Sequence, residues 1–256
     1  MHRSLFSDLF GQNSSSDELL AADKASWIIY RSFEYIYRYI SPGITTLSIA
    51  EKLEDFLLYN KSDNNIIISV SPEEIVWHGI PGSRKLKEGE LVTIDVALTV
   101  RGHWADCSWT FPSGEIDETH KNLILASWMG LHNVIDNMKP GENGKNIFNA
   151  VSRICRETSV FLVSEGAGHG IGRKLHEPPV ITYDGRLHEP LKKNFLYTAE
   201  PVFKTGSEGV LISDEGNAVT SDGNPAAYFE MPVLVLEHGV HLPGEPPMFL
   251  FENLFL

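Results

Sequence analysis

The chain is predicted to be an α+β protein made of two related halves. Helical and strand patterns are mixed without the even alternation of a doubly wound sheet. The order helix, Pro-Gly, helix occurs twice, at Pro42-Gly43 and Pro140-Gly141, and His78 and His176 follow at the same offset. Each half then carries a strand-like block ending on an acid. Leu86–Asp95 and Leu191–Glu200 share Leu, Lys, Leu and Thr in place. A site between such halves would collect a histidine and a carboxylate from each.

The elements follow in order. A helix starts near Ser16-Asp17-Glu18, with an apolar stripe through Leu20, Ala25, Ile28 and Ile29, and ends at Ser41-Pro42-Gly43. Its aromatic residues Phe33, Tyr35 and Tyr37 read as a core face. Thr45 or Thr46 can cap a second helix running to about Leu58. Residues 64–70 and 91–100 read as strands rich in Ile and Val. Helical periodicity returns over 117–138, stops at Lys139-Pro140-Gly141, and resumes to about Thr158. The last third is strands and turns punctuated by glycine and proline. Residues 1–15 read as a flexible N-terminal segment, 16–240 as a single domain, and 241–256 as a proline-rich hydrophobic tail that packs on its own domain.

Composition limits the function classes. Hydrophobic residues make up 42% of the 256 positions and charged residues 21%, which suits a globular chain with a sizeable core. A net charge of −13 argues against a nucleic-acid partner. No apolar run reaches the roughly 18–20 residues of a membrane span, and no signal-peptide core is present, so the expected compartment is the cytoplasm. Cys107 and Cys155 stand in no metal-thiolate pattern and read as reduced. The dinucleotide fingerprint, the phosphate loop, His-Glu-x-x-His and Gly-x-Ser-x-Gly are all missing from the sequence.

Chemistry gathers on the acids. Along 91–100, Thr93, Asp95, Ala97 and Thr99 share one face. With Arg101-Gly102 as a two-residue turn, Ala97 faces Asp106, and Asp95 and Asp106 become diagonal neighbours at roughly 6–8 Å on a half-buried hairpin. Two such carboxylates stay ionised only around a cation; otherwise one takes up a proton. Solvated surface acids are the plainer alternative for this pair alone. Glu200 ends the second-half strand. Glu230 lies in an apolar strand, Ala226–Leu236, where an acid must be paired, protonated or bound to metal. His169 sits in a glycine loop, Gly166–Gly172, that leaves its ring room to reach a ligand. Two Asp, two Glu and one His bring four negative charges, which two divalent ions would balance. Paired metals sharing a water are hydrolytic machinery.

The motifs His78-Gly79-Ile80-Pro81, Ile94-Asp95-Val96, Asp106, Gly168–Arg173, His176-Glu177-Pro178-Pro179, Glu200-Pro201 and Glu230 together resemble the methionine aminopeptidases of the bacterial type I form. The resemblance spans roughly residues 20–240. It implies the pita-bread fold of two pseudo-symmetric halves with the metal site between them. It implies a dinuclear aminopeptidase that removes the N-terminal methionine of nascent chains, acting as a monomer on their N-terminal peptide. The metal ligands would be Asp95, Asp106, His169, Glu200 and Glu230, holding cobalt, manganese, iron or zinc. Asp106 and Glu230 would bridge the ions, Glu200 would also shuttle protons, and His78 and His176 would contact substrate.

Several positions depart from that pattern. Tyr228 replaces a usual glutamine, Met231-Pro232 a usual His-Thr, and Asn217 aligns where a pocket tryptophan is common. The stretch 59–66, expected to line the side-chain pocket, is short. These departures keep open an aminopeptidase of other specificity, such as Xaa-Pro, and a non-catalytic binding protein of the same fold.

Overall fold

The computed structural model describes residues 16–186, 189–206 and 209–252. The N-terminal segment 1–15 and the last residues of the tail lie outside them.

Each half opens with two helices. Helix α1, Ser16–Tyr37, packs over the first-half strands with Ile28, Ile29 and Phe33 fully buried. Helix α2, Thr46–Tyr59, begins where the Thr45 side chain accepts from the Ser48 amide. Of the aromatic residues expected on a core face of α1, Phe33 is buried and Tyr37 stacks on Phe111 in the core, whereas Tyr35 is half-buried against Phe56 of α2.

Strands β1, Ile66–Pro72, and β2, Ile75–Trp77, precede a long hairpin of β3, Glu90–Val100, and β4, His103–Ser113. The expected turn and register hold, with Val100 opposite His103 and Ala97 opposite Asp106. The expected half-exposed surface does not. Every residue of β3 except Asp95 is buried, because α1 covers one face and strands of the second half approach the other.

The second half repeats the plan. Helix α3, Glu118–Asn137, is capped by Asp117, and α4 spans Lys145–Thr158. The strands β5, Phe161–Leu162; β6, Ala167–Gly170; β7, Glu177–Thr182; and β8, Phe195–Ala199, come next. Then come β9, Phe203–Lys204; β10, Val210–Ile212; β11, Ala218–Thr220; β12, Ala226–Ala227; β13, Met231–Val235; and β14, Val240–His241. In one sheet β3 lies between β1 and β4; in another β8 lies between β6 and β13. That equivalence places Asp95 on the central strand β3 and Glu200, the acid closing the other matched block, directly after the corresponding strand β8.

The strand expected over Ala226–Leu236 is broken. It stops after Ala227 and restarts at Met231, and Glu230 sits in the gap. There its backbone exchanges two hydrogen bonds with Ser108 of β4, at 3.2 and 3.0 Å. Two residues earlier, the Thr110 hydroxyl donates to the Tyr228 carbonyl and accepts from the Tyr228 amide. These bonds form the seam between the halves. Trp109 meets Phe229 edge-on across it, with centroids 5.2 Å apart, inside one continuous core.

The described part of the tail forms a short helix α5, Met248–Glu252, with Leu250 buried and Phe251 stacked on Trp128 of α3 at 4.2 Å. Among the described residues no helix is long and apolar enough to cross a membrane.

Candidate metal centre

A cavity of about 310 Å³ opens at the seam, and all seven residues singled out in the sequence line it: His78, Asp95, Asp106, His169, His176, Glu200 and Glu230. Ligand atoms of Asp106, His169 and Glu230 lie within 4.8 Å of one another, and all three residues are buried. Glu200 Oε1 is 3.5 Å from His169 Nε2, and Asp106 Oδ2 is 3.9 Å from it. Asp95 lines the same cavity as the diagonal neighbour of Asp106, which pairs with Ala97 across the hairpin.

His169, Glu200 and Glu230 are each oriented by a neighbour. His169 is on strand β6, not in a loop as its glycine-rich surroundings suggested. The glycines serve close approach instead: a Cβ on Gly168 would lie 2.5 Å from the Thr198 carbonyl oxygen, and one on Gly170 2.7 Å from that of Pro178. The His169 Nδ1 faces the Gly170 carbonyl at 2.9 Å. With Nδ1–H donating there, the lone pair is on Nε2, which points into the cavity. Burial lowers the His169 pKa to about 4, with the neighbouring His176 adding to the effect and the Gly170 carbonyl opposing it, so the ring is neutral at neutral pH. The Thr198 hydroxyl accepts from the His169 amide and donates to Glu200 Oε1 at 2.7 Å. Ser108 Oγ donates to Glu230 Oε2 at 2.8 Å.

Thr198 and Ser108 were missed in the sequence, although alternation could have found both. Thr198 is two residues before Glu200, and Ser108 is two after Asp106 and opposite Asp95. Tyr183, whose hydroxyl accepts from the Glu200 amide, had no such signal.

The electrostatics are those of an anionic nest. Burial first, then repulsion by Glu230 and Asp95, drives the Asp106 carboxyl well above the usual carboxylate range. Burial and repulsion by Glu200 and Asp95 do the same to Glu230; burial, with repulsion by Asp106 and Asp95, does it to Glu200. Asp95 is raised by burial, with His78 opposing. Asp106 Oδ1 and Glu230 Oε1 are buried without a hydrogen-bond donor. Such oxygens need a proton or a cation, and the oxygen-rich, single-imidazole set suits divalent metal.

The two histidines expected at the substrate are exposed at the mouth. His78 has a left-handed backbone, φ +54°, directly after β2, and the His176 ring lies edge-on to His169 at 4.5 Å. Among the departures, only Tyr228 lines this cavity, its hydroxyl 3.4 Å from Asp95 Oδ2. Met231 is buried opposite Ala199 in the sheet. Asn217 turns away into a neighbouring cavity, where its Oδ1 accepts from the Ile80 amide at 3.0 Å. The stretch 59–66, expected to line the pocket, does not reach it, and Tyr59 is 86% exposed.

Similarity to known proteins agrees with this geometry. The chain is 33% identical over 235 residues to methionine aminopeptidase 1 of Bacillus subtilis, a match covering 87% of this chain and 94% of that one. The crystal structure of a methionine aminopeptidase from Thermotoga maritima superposes with a TM-score of 0.85 at 26% identity, covering 92% of this chain and 99% of that one. An Xaa-Pro dipeptidase from Bacillus anthracis shares the fold at 20% identity and a TM-score of 0.76, with 93% of this chain covering 62% of that one. This is the pita-bread fold, with its halves meeting at the cavity. The model of metallopeptidase family M24 matches residues 21–235, nearly the whole described chain, and the protein belongs to that family.

Proposed function

We infer that the protein is a metal-dependent aminopeptidase that removes the N-terminal methionine from newly made chains. The observation that carries this is the convergence of Asp106, His169 and Glu230 within 4.8 Å, with two buried carboxylate oxygens left without donors. Similarity to named methionine aminopeptidases along most of the chain supports the substrate. Asp95, Asp106, His169, Glu200 and Glu230 would hold two divalent ions, cobalt, manganese, iron or zinc, their four negative charges matching two dications. Cations bound there supply Lewis-acid polarisation of a peptide carbonyl and make water acidic enough to attack near neutral pH.

The chain's own groups supply the rest. Glu200, its carboxylate fixed by Thr198, moves a proton from attacking water to the departing amine nitrogen. His176, at the mouth, donates to the carbonyl oxygen as negative charge develops on it. His78, which lines the same cavity, holds the peptide. Thr198 fixes His169 and Glu200 together, so both keep one geometry through the reaction.

One chain contributes every group of the site, which supports action as a monomer. A substrate that is a newly synthesised chain supports a cytoplasmic location. The test is free amino acid released from Met-Ala-Ser, Met-Leu-Ser and Ala-Pro-Ser peptides with added manganese or cobalt. Methionine release from Met-Ala-Ser, weaker from Met-Leu-Ser and lost on chelation, is expected. Cleavage of Ala-Pro-Ser alone would move the reading to Xaa-Pro substrates.

A further inference from the structure

The wall of the cavity is built from an unexpected place. The aromatic side chain anticipated at 217 is an asparagine that faces the other way and holds the Ile80 amide. Its strand neighbour Ala218 pairs with Trp77, the last residue of β2, and it is the Trp77 indole that lines the cavity. The ring packs against the apolar cluster of Val76, Val163, Val202, Ala226 and Tyr228. A Cβ on Gly166 would lie 3.9 Å from the Trp77 ring and 3.6 Å from Val202, so the indole lies beside this glycine on the cavity wall. Trp77 and Tyr228 therefore both line the cavity, and both pack with Val202 in the same apolar cluster.

An aromatic wall of that kind suits a long, unbranched, polarisable side chain. A thioether gains contact with aromatic rings and has three rotatable bonds with which to lie along them. A β-branched side chain is wide at its base, and a charged one would lose its water against indole.

We propose that Trp77 is the specificity-determining wall for the side chain of the residue being removed, and that with Tyr228 it selects unbranched apolar residues of methionine length. This rests on the aminopeptidase reading above. Trp77 also precedes His78, so a purely structural role would act through that histidine and change all substrates alike.

The experiment compares Xaa-Ala-Ser peptides with Xaa as Met, norleucine, Leu, Val and Phe, for the wild-type chain, Trp77→Phe and Trp77→Ala. Trp77→Ala is expected to lower kcat/KM for Met and norleucine by about 10–200-fold while Leu and Phe hold or rise, with Trp77→Phe between. A uniform loss across all five peptides would overturn the proposal. Binding of free L-methionine, followed by calorimetry on the manganese-loaded chain, gives a readout independent of turnover. Weakening of at least tenfold in Trp77→Ala supports the wall, and equal binding overturns it. Should Trp77→Ala fail to fold, Trp77→Phe carries the same two readouts. A wild-type chain that releases no amino acid would sink the aminopeptidase reading. The calorimetry still judges Trp77 in that case, so the two failures remain distinct.

Discussion

At the floor of the cavity, Glu230 and His169 are each held twice, by backbone pairing and by a neighbouring hydroxyl, inside the buried seam. Along its wall and mouth, Trp77, His78 and His176 stand at strand ends and turns, partly or wholly exposed. Floor residues are fixed by the fold, because moving one would strand buried polar groups on both halves. Wall residues are fixed mainly by packing, so an aromatic surface can come from one strand or from its neighbour. On the proposed reading, reaction chemistry belongs to the first region and choice of substrate to the second.

The contrast can be broken at the floor most severely. Glu200→Gln keeps the shape but removes the proton carrier, and the rate of methionine release should fall by about 10²–10⁴-fold with the circular dichroism spectrum unchanged. A rate within threefold of wild type would take Glu200 out of the chemistry. The seam beneath it should be the costliest place to excavate. Trp109→Ala removes a fully buried ring that meets Phe33, Trp128 and Phe229, and should destabilise the chain by about 3–5 kcal/mol in urea unfolding. Thr198→Val sharpens the comparison, since it leaves all five proposed ligands in place and replaces only the hydroxyl that bonds the His169 amide and the Glu200 carboxylate. Manganese affinity should weaken by about 10–100-fold.

The smallest effect is expected far from the cavity. His120, at the start of α3, faces Glu73 at 2.8 Å and Asp117 at 2.7 Å. Its pKa is raised to about 9, chiefly by the Glu73 hydrogen bond. A histidine with a raised folded-state pKa stabilises fully below its unfolded value near 6.5, and that contribution is lost as pH climbs to about 9. His120→Ala should therefore lower Tm at pH 6 and have little effect at pH 10. An equal loss at both pH values would mean the ring acts by packing alone.

How much of this was legible follows from the same physics. Strict alternation along β3 and β4 and a two-residue turn fixed the Asp95–Asp106 register, and the matched blocks located Glu200 at the end of the equivalent strand. The wall was not legible because β-strand parity fails where strands break or bulge. The pairing of β11 with β2 shifts register between Ala218 and Val219, and the strand carrying Glu230 is interrupted at the seam. Past such points, alternation no longer says which way Asn217 or Trp77 will face. The burial of both faces of β3 was hidden for a different reason: its covers, α1 and the second-half strands, lie far away in sequence.

The most direct test of the account is a titration of the metal-free chain with manganese while methionine release from Met-Ala-Ser is followed. The account predicts no release without metal, activity rising with metal bound and saturating with it, and loss of both in Asp106→Asn. A folded chain that binds no manganese, or one that cleaves equally well when stripped of metal, would contradict it.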